Sequence, residues 1–133
     1  MILDKLPGED LNEICYYATK LVKFVLDHRS RTSFEGRTKE QIFVEIFECN
    51  TNKTLFYSCE NIYTINGIAC FSIDQLTKTI WVHDVLTSKK GVTKEMVQFA
   101  IKHYEGFSIK GKHRTGRTRN FNSIELNKKL YGK

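Results

Sequence analysis

The sequence predicts an α/β protein, with helices packed on both faces of a sheet, and three stretches carry that expectation. The first runs from Thr79 to Tyr104 and reads as an apolar strand, a short basic turn containing Gly91, and a helix of about three turns. Ile80, Val82 and Val85 are strand residues and Trp81 can bury a large area on one face. Val92, Met96, Val97, Ala100, Ile101 and Tyr104 then recur at close to helical spacing. The second stretch is Leu11 to His28, where Leu11, Ile14, Cys15, Ala18, Leu21, Val22, Val25 and Leu26 form one broad apolar stripe. The third pairs Gly67–Ile73 with Thr79–Leu86 through DQLTK, a connection of ordinary hairpin length. Ile68 and Cys70 face one side of that first strand and Ala69, Phe71 and Ile73 the other, as expected of an inner strand covered on both faces.

The remaining elements follow from local signals. Asp10 or Gly8 can start the first helix, Glu13 suits its positive end, and His28 and Arg29 suit the far end. SRTSFEGR, residues 30–37, is a loop rich in small and charged residues. Thr38 followed by Gln41 fits a capping box, which favours a helix for the ambiguous IFVEIFEC over a strand. Thr54 to Cys59 reads as a strand, Gly106 closes the helix begun at Val92, and Phe107–Ile109 opens another extended segment.

A length of 133 residues suits a single domain, residues 1–133, and 41% apolar residues suffice for one core without a covalent staple. No stretch approaches the roughly twenty apolar residues a membrane-spanning helix needs, so membrane insertion is not expected. MILDKLPGEDLN does not read as a secretory leader, which favours a cytoplasmic or virion-packaged protein. Cys15, Cys49, Cys59 and Cys70 form no CxxC pair, and buried free thiols are expected in place of disulfides or a metal site. The net charge of +6 is lopsided: from Phe107 onward eight Lys or Arg face Glu125 alone, a local charge of +7. That imbalance points to nucleic acid, phosphate or an acidic partner.

The order helix, helix, strand, strand hairpin, helix, strand resembles the GNAT superfamily of acyl-coenzyme A-dependent N-acyltransferases. The resemblance covers about Leu11 to Ile109, most informatively GIACFSIDQLTKTIWVHDVLTSKKGVTKEMVQFAIKHY. It implies a central mixed, mostly antiparallel sheet flanked by helices, with acetyl-coenzyme A as acyl donor and an amine as acceptor. The strand Val82, His83, Asp84, Val85 would lie beside the thioester, and Ser88, Lys89, Lys90, Gly91, Val92 and Thr93 would receive the pyrophosphate. Clustered N–H groups and positive charge suit a diphosphate. Gly91 takes the place of the first motif glycine, Thr93 stands at the second, and Ser88 occupies the place of the usual Arg or Gln. The ending KHRTGRTRNFNSIELNKKL resembles that of small phage-encoded proteins with acyltransferase-like folds.

Asp84 or His83 is the candidate general base toward an amine; neighbouring strand residues face opposite sides, so only one reaches a given cleft. The alternative places one at the surface and pairs the other with a lysine. Tyr131 is a candidate general acid. Lys110, Lys112, Arg114, Arg117 and Arg119 form a second candidate site, turn-like because of Gly111, Thr115 and Gly116, for phosphate backbones or an acidic protein. Three functions are therefore expected in competition: a compact acyltransferase, a non-catalytic virion or accessory protein of the same fold that assembles through its basic segment 110–133, and an unrelated nucleic-acid-binding domain.

Overall fold

The computed structural model of the chain describes residues 1–30, 32–61, 64–112 and 118–120. Its elements in chain order are β1 (Ile2–Leu3), α1 (Leu11–His28), α2 (Lys39–Thr51), β2 (Leu55–Asn61), β3 (Thr64–Asp74), β4 (Thr79–Thr87), α3 (Val92–His103), β5 (Ser108–Lys112) and β6 (Thr118–Asn120). The strands form one sheet in sequence order. Every neighbouring pair is antiparallel except β4 and β5, which run parallel because α3 carries the chain back over the sheet between them. The chain is thus an α/β protein built on a mixed sheet.

The helices α1 and α2 start where the sequence provides a side-chain cap. Asp10 accepts the Glu13 N–H at 2.9 Å to begin α1. Thr38 accepts from Gln41 N at 3.1 Å while the Gln41 side chain accepts from Thr38 N at 2.8 Å, the reciprocal box that commits IFVEIFEC to helix. α3 is different: Gly91, at φ +89°, precedes it with no side-chain cap. Gly106, at φ +86°, follows its last turn.

The sheet separates two cores. On one face α1 and α2 bury Ala18, Leu21, Val22, Val25, Ile42 and Ile46 against Leu55, Tyr57, Ile68, Cys70 and Leu86. Phe34, fully buried from the loop before α2, completes that core. On the other face α3 sets Val92, Met96 and Ala100 on Phe56, Ala69, Phe71, Ile80 and Ile109. β3 is buried continuously from Asn66 to Phe71 because both layers cover it. The apolar stripe of α1 is deeper at its C-terminal half, where Phe24 is buried, whereas Leu11 is exposed.

Two local features set the geometry around β4. Cys70 pairs with Asp84 and Phe71 with Val82, so His83 is an extra residue, a β-bulge. Val82 consequently packs toward α3, whereas Asp84 meets groups of the α2 layer. Gly67 of β3 lies against the start of α3: a Cβ there would come within 2.8 Å of Val92 Cγ1 and 3.1 Å of Thr87 Cγ2. The missing side chain lets the turn between β4 and α3 close down on β3.

The basic run expected to be turn-like is in part a β-hairpin. Lys110 pairs with Asn120, Gly111 with Arg119 and Lys112 with Thr118. Arg114, Arg117 and Tyr131 lie outside the described residues.

Candidate functional site

The chemistry-bearing groups gather at the C-terminal half of β4, on both of its sides and along one edge. Parallel pairing with β5 covers only Thr79 to Val82, against Ser108 to Gly111, while β4 continues to Thr87. Among the described residues, no ladder partner on the β5 side accompanies His83 to Thr87. Among the described residues, a segment of strand edge without a ladder partner therefore begins at the bulge.

That edge leads into the turn Ser88–Gly91. Ser88 is fastened to β3 by two bonds to the Asn66 carbonyl, from its N–H at 2.9 Å and its hydroxyl at 3.2 Å. Gly91 adopts the left-handed conformation that turns the chain into α3, and a Cβ there would meet nothing within 4 Å. Val92 is buried and anchors the helix, Thr93 is exposed, and the Thr93 and Thr87 hydroxyls lie 3.4 Å apart. Val85 of the strand packs against the α3 core. Lys90 is exposed. Lys89 forms an ion pair with Glu60 at the end of β2, and that ammonium holds the Glu60 carboxyl below the usual carboxylate range. The turn thus combines an uncapped helix N-terminus with two lysines, one already engaged by an acid.

A cluster of ionisable groups occupies the α2 side of β4. Asp84 is 2% exposed and receives both arms of Arg37, Nη1 to Oδ2 at 3.1 Å and Nη2 to Oδ1 at 3.0 Å. Burial works to raise its pKa, but hydrogen bonds from Glu45, Ser33 and Arg37 outweigh burial and hold Asp84 ionised below the ordinary carboxylate range. Arg37 lies over the Phe34 ring, 5.1 Å from its centroid, and also grips Glu45. Glu45 is pushed up to about 7, first by burial and then by the Asp84 carboxylate it faces, against the pull of Arg37. A proton held by Glu45 near neutrality is shared toward Asp84.

His83, extruded at the bulge, is exposed, and its Nε2 shares a hydrogen bond of 2.8 Å with Ser72 Oγ. The two neighbouring candidates differ in exposure, His83 accessible and Asp84 enclosed, but the expected alternation is interrupted by the bulge: His83 reaches Ser72, on the same face of β3 as Cys70, the partner of Asp84 in the pairing. Asp84 is paired with Arg37, not a lysine. Lys110 sits on β5 with its ammonium 5.9 Å from the Trp81 ring centroid.

Arg37, Glu45 and Cys49 were not among the sequence candidates. One signal for two of them exists: Ile42, Glu45, Ile46 and Cys49 share the i, i+3, i+4, i+7 face of α2, so an acid and a thiol stand in a core-facing stripe. Arg37 carries no such mark, because its partner Asp84 is 47 residues away.

Among the described residues, no helix is long and apolar enough to cross a membrane and no group of three or more His, Cys, Asp or Glu is arranged to hold a metal ion. No protein-family model matches the chain, and no curated protein matches it.

Proposed function

We propose that the protein is an acyl-coenzyme A-dependent N-acyltransferase-like protein that uses the edge of β4 beyond Val82 and the turn into α3. The observation that carries this reading is the conjunction at one end of the strand: pairing with β5 stops at Val82, the strand runs on to Thr87, and an uncapped α3 begins at Gly91. The residues fit a diphosphate-bearing donor. N–H groups at the start of α3 and the lysines beside them favour an anion, and Gly91 leaves the approach open.

Acetyl-coenzyme A would supply the activated acyl group. The chain's own part is to receive the diphosphate at Ser88–Thr93, to offer the backbone of His83–Val85 to an extended ligand, and to move a proton from the amine. His83 is the exposed candidate for that proton; the Asp84–Glu45–Arg37 cluster supplies a second acceptor near neutrality on the α2 side. Calorimetric titration with acetyl-coenzyme A tests the reading. One-to-one binding that weakens at least tenfold in the variant carrying Lys89→Glu and Lys90→Glu is the expected result, roughly 1.4 kcal/mol. Absence of saturable binding at millimolar ligand overturns it.

The Lys89–Glu60 pair favours a second reading. A lysine already satisfied by an acid suits a protein of acyltransferase ancestry whose turn no longer takes coenzyme A. Such a protein would act as a virion or accessory component and assemble with proteins or nucleic acid through its basic segment. Salt-sensitive retention on single-stranded DNA or an acidic polymer, lost on neutralising Lys110, Lys112 and Arg119, separates that reading from the first.

A further inference from the structure

The α2 face that carries Glu45 carries Cys49 one turn later, and the thiol does not stand alone. Backbone bonds fix it beside Cys70 of β3. Thr54 donates to the Cys49 carbonyl through its N–H at 2.8 Å and its hydroxyl at 3.3 Å. The Thr54 carbonyl in turn accepts the Phe71 N–H at 3.1 Å, and the next residue, Leu55, pairs with Cys70 across the sheet. Cys70 is 1% exposed in the core beneath α1 and α2, and Cys49, half-buried, packs against that same core.

The two thiols are also unequal. The Cys70 thiol donates to the Cys49 sulfur, and that bond lowers Cys49 to about 7 against burial and the opposing charges of Asp84 and Glu48; Thr54 adds a second donor. Donation to Cys49 and near-complete burial push Cys70 far the other way. One sulfur is therefore a partly exposed thiolate near neutrality and the other a protected thiol held against it; oxidation of Cys49 removes the negative sulfur that helps to raise Cys70 and so frees Cys70 to act second.

We propose that Cys49 and Cys70 are a peroxide-responsive dithiol, in which Cys49 is oxidised first and Cys70 then closes a disulfide that ties α2 to β3. In the first step the Cys49 thiolate attacks one oxygen of hydrogen peroxide. The O–O bond breaks, and the departing hydroxide takes a proton to leave as water, giving the Cys49 sulfenic acid. In the second step the Cys70 sulfur attacks the Cys49 sulfur. The S–O bond breaks, and the hydroxide released takes the Cys70 proton to leave as a second water. Two thiols lose two electrons and two protons, and the peroxide is reduced to two waters. The inference is independent of any acyltransferase activity.

The kinetic advantage is modest. At pH 7 a thiol that titrates near 7 is about half ionised against roughly 3% for an ordinary thiol, and the lower nucleophilicity of the less basic thiolate trims the gain to roughly threefold. The specificity of the product is the sharper readout. Reduced full-length protein is treated with a small excess of hydrogen peroxide, and peptides are mapped without reduction. The expected product is protein lighter by two hydrogens, with the Cys49 and Cys70 peptides joined and Cys15 and Cys59 still alkylatable. Cys70→Ala is expected to stop at a Cys49 sulfenic acid that dimedone captures. Cys49→Ser, at the half-buried position, keeps the fold measurable by circular dichroism and is expected to leave Cys70 reduced at the same dose. A link through Cys15 or Cys59, oxidation of Cys70 in Cys49→Ser, or a Cys49 that stays reduced while Cys15 is oxidised overturns the proposal.

Discussion

Replacing Arg37 by alanine is expected to cost the fold about 3 kcal/mol at pH 7, near the lower end of the range for breaking a buried ion pair. Its partner is 2% exposed and takes two charge-assisted hydrogen bonds from it, at 3.0 and 3.1 Å. Without Arg37 the Asp84 carboxylate keeps its hydrogen bonds from Glu45 and Ser33 but loses its cationic partner in the α2 layer. The Arg37 side chain is 33% exposed, so water can enter the space it leaves, and that argues for about 3 over 5 kcal/mol. Urea unfolding followed by the fluorescence of Trp81, the single tryptophan, gives the number directly. Combining Arg37→Ala with Asp84→Asn removes the charge along with its partner and should recover roughly 1–2 kcal/mol relative to the sum of the two single changes. A single-mutant cost under about 1 kcal/mol, or strict additivity in the double mutant, would refute the reasoning. The penalty should also shrink in acid. The depressed Asp84 contributes stability above its unfolded value of about 3.9 and loses it as pH falls through its lower folded value.

Glu45 has the opposite sign: its folded value near 7 lies above an unfolded value of about 4.3, so the folded state holds that proton more tightly. The contribution is full below about 4.3 and is lost as pH rises through 7; melting temperatures from pH 5 to 8 should fall in the native protein and flatten in Glu45→Gln, and parallel slopes would refute the assignment. Gly67→Ala places a Cβ 2.8 Å from Val92 Cγ1 and 3.3 Å from the Leu86 carbonyl oxygen, an overpacking cost of roughly 1–3 kcal/mol. Because the displaced atoms begin α3, that variant should also weaken acetyl-coenzyme A binding, and an unchanged midpoint in urea would show that the turn can give way freely.

The secondary structure was legible wherever one element declares itself within a few residues. The stripe of α1, the Thr38–Gln41 box of α2, the β3–β4 hairpin and the Gly91-started α3 all depend on local spacing, and each is where its spacing put it. β1, two residues long, is too short to show alternation, and β6 lay hidden inside a run read for its charge. The site was less legible for a different physical reason. Arg37 meets Asp84, and Cys49 meets Cys70, only after the sheet has formed and α2 has docked on it, so no window of sequence contains either pair. Asp84 and His83 were singled out by residue type and by their place on the strand before α3, with alternation expected to send them to opposite faces. Their unequal surroundings come from the bulge, which exists only in the pairing of two strands.

That bulge can be read as an insertion absorbed without a change of phase. Strand residues alternate between faces, so one added residue in a regular strand would send everything beyond it to the wrong side. Here His83 alone is looped out of the pairing, and Val82 and Asp84 behave as if adjacent. Polar chemistry on the α2 side and apolar packing on the α3 side can then change independently at neighbouring positions of one strand. In evolutionary terms His83 is the residue β4 could gain or lose while every other side chain kept its face.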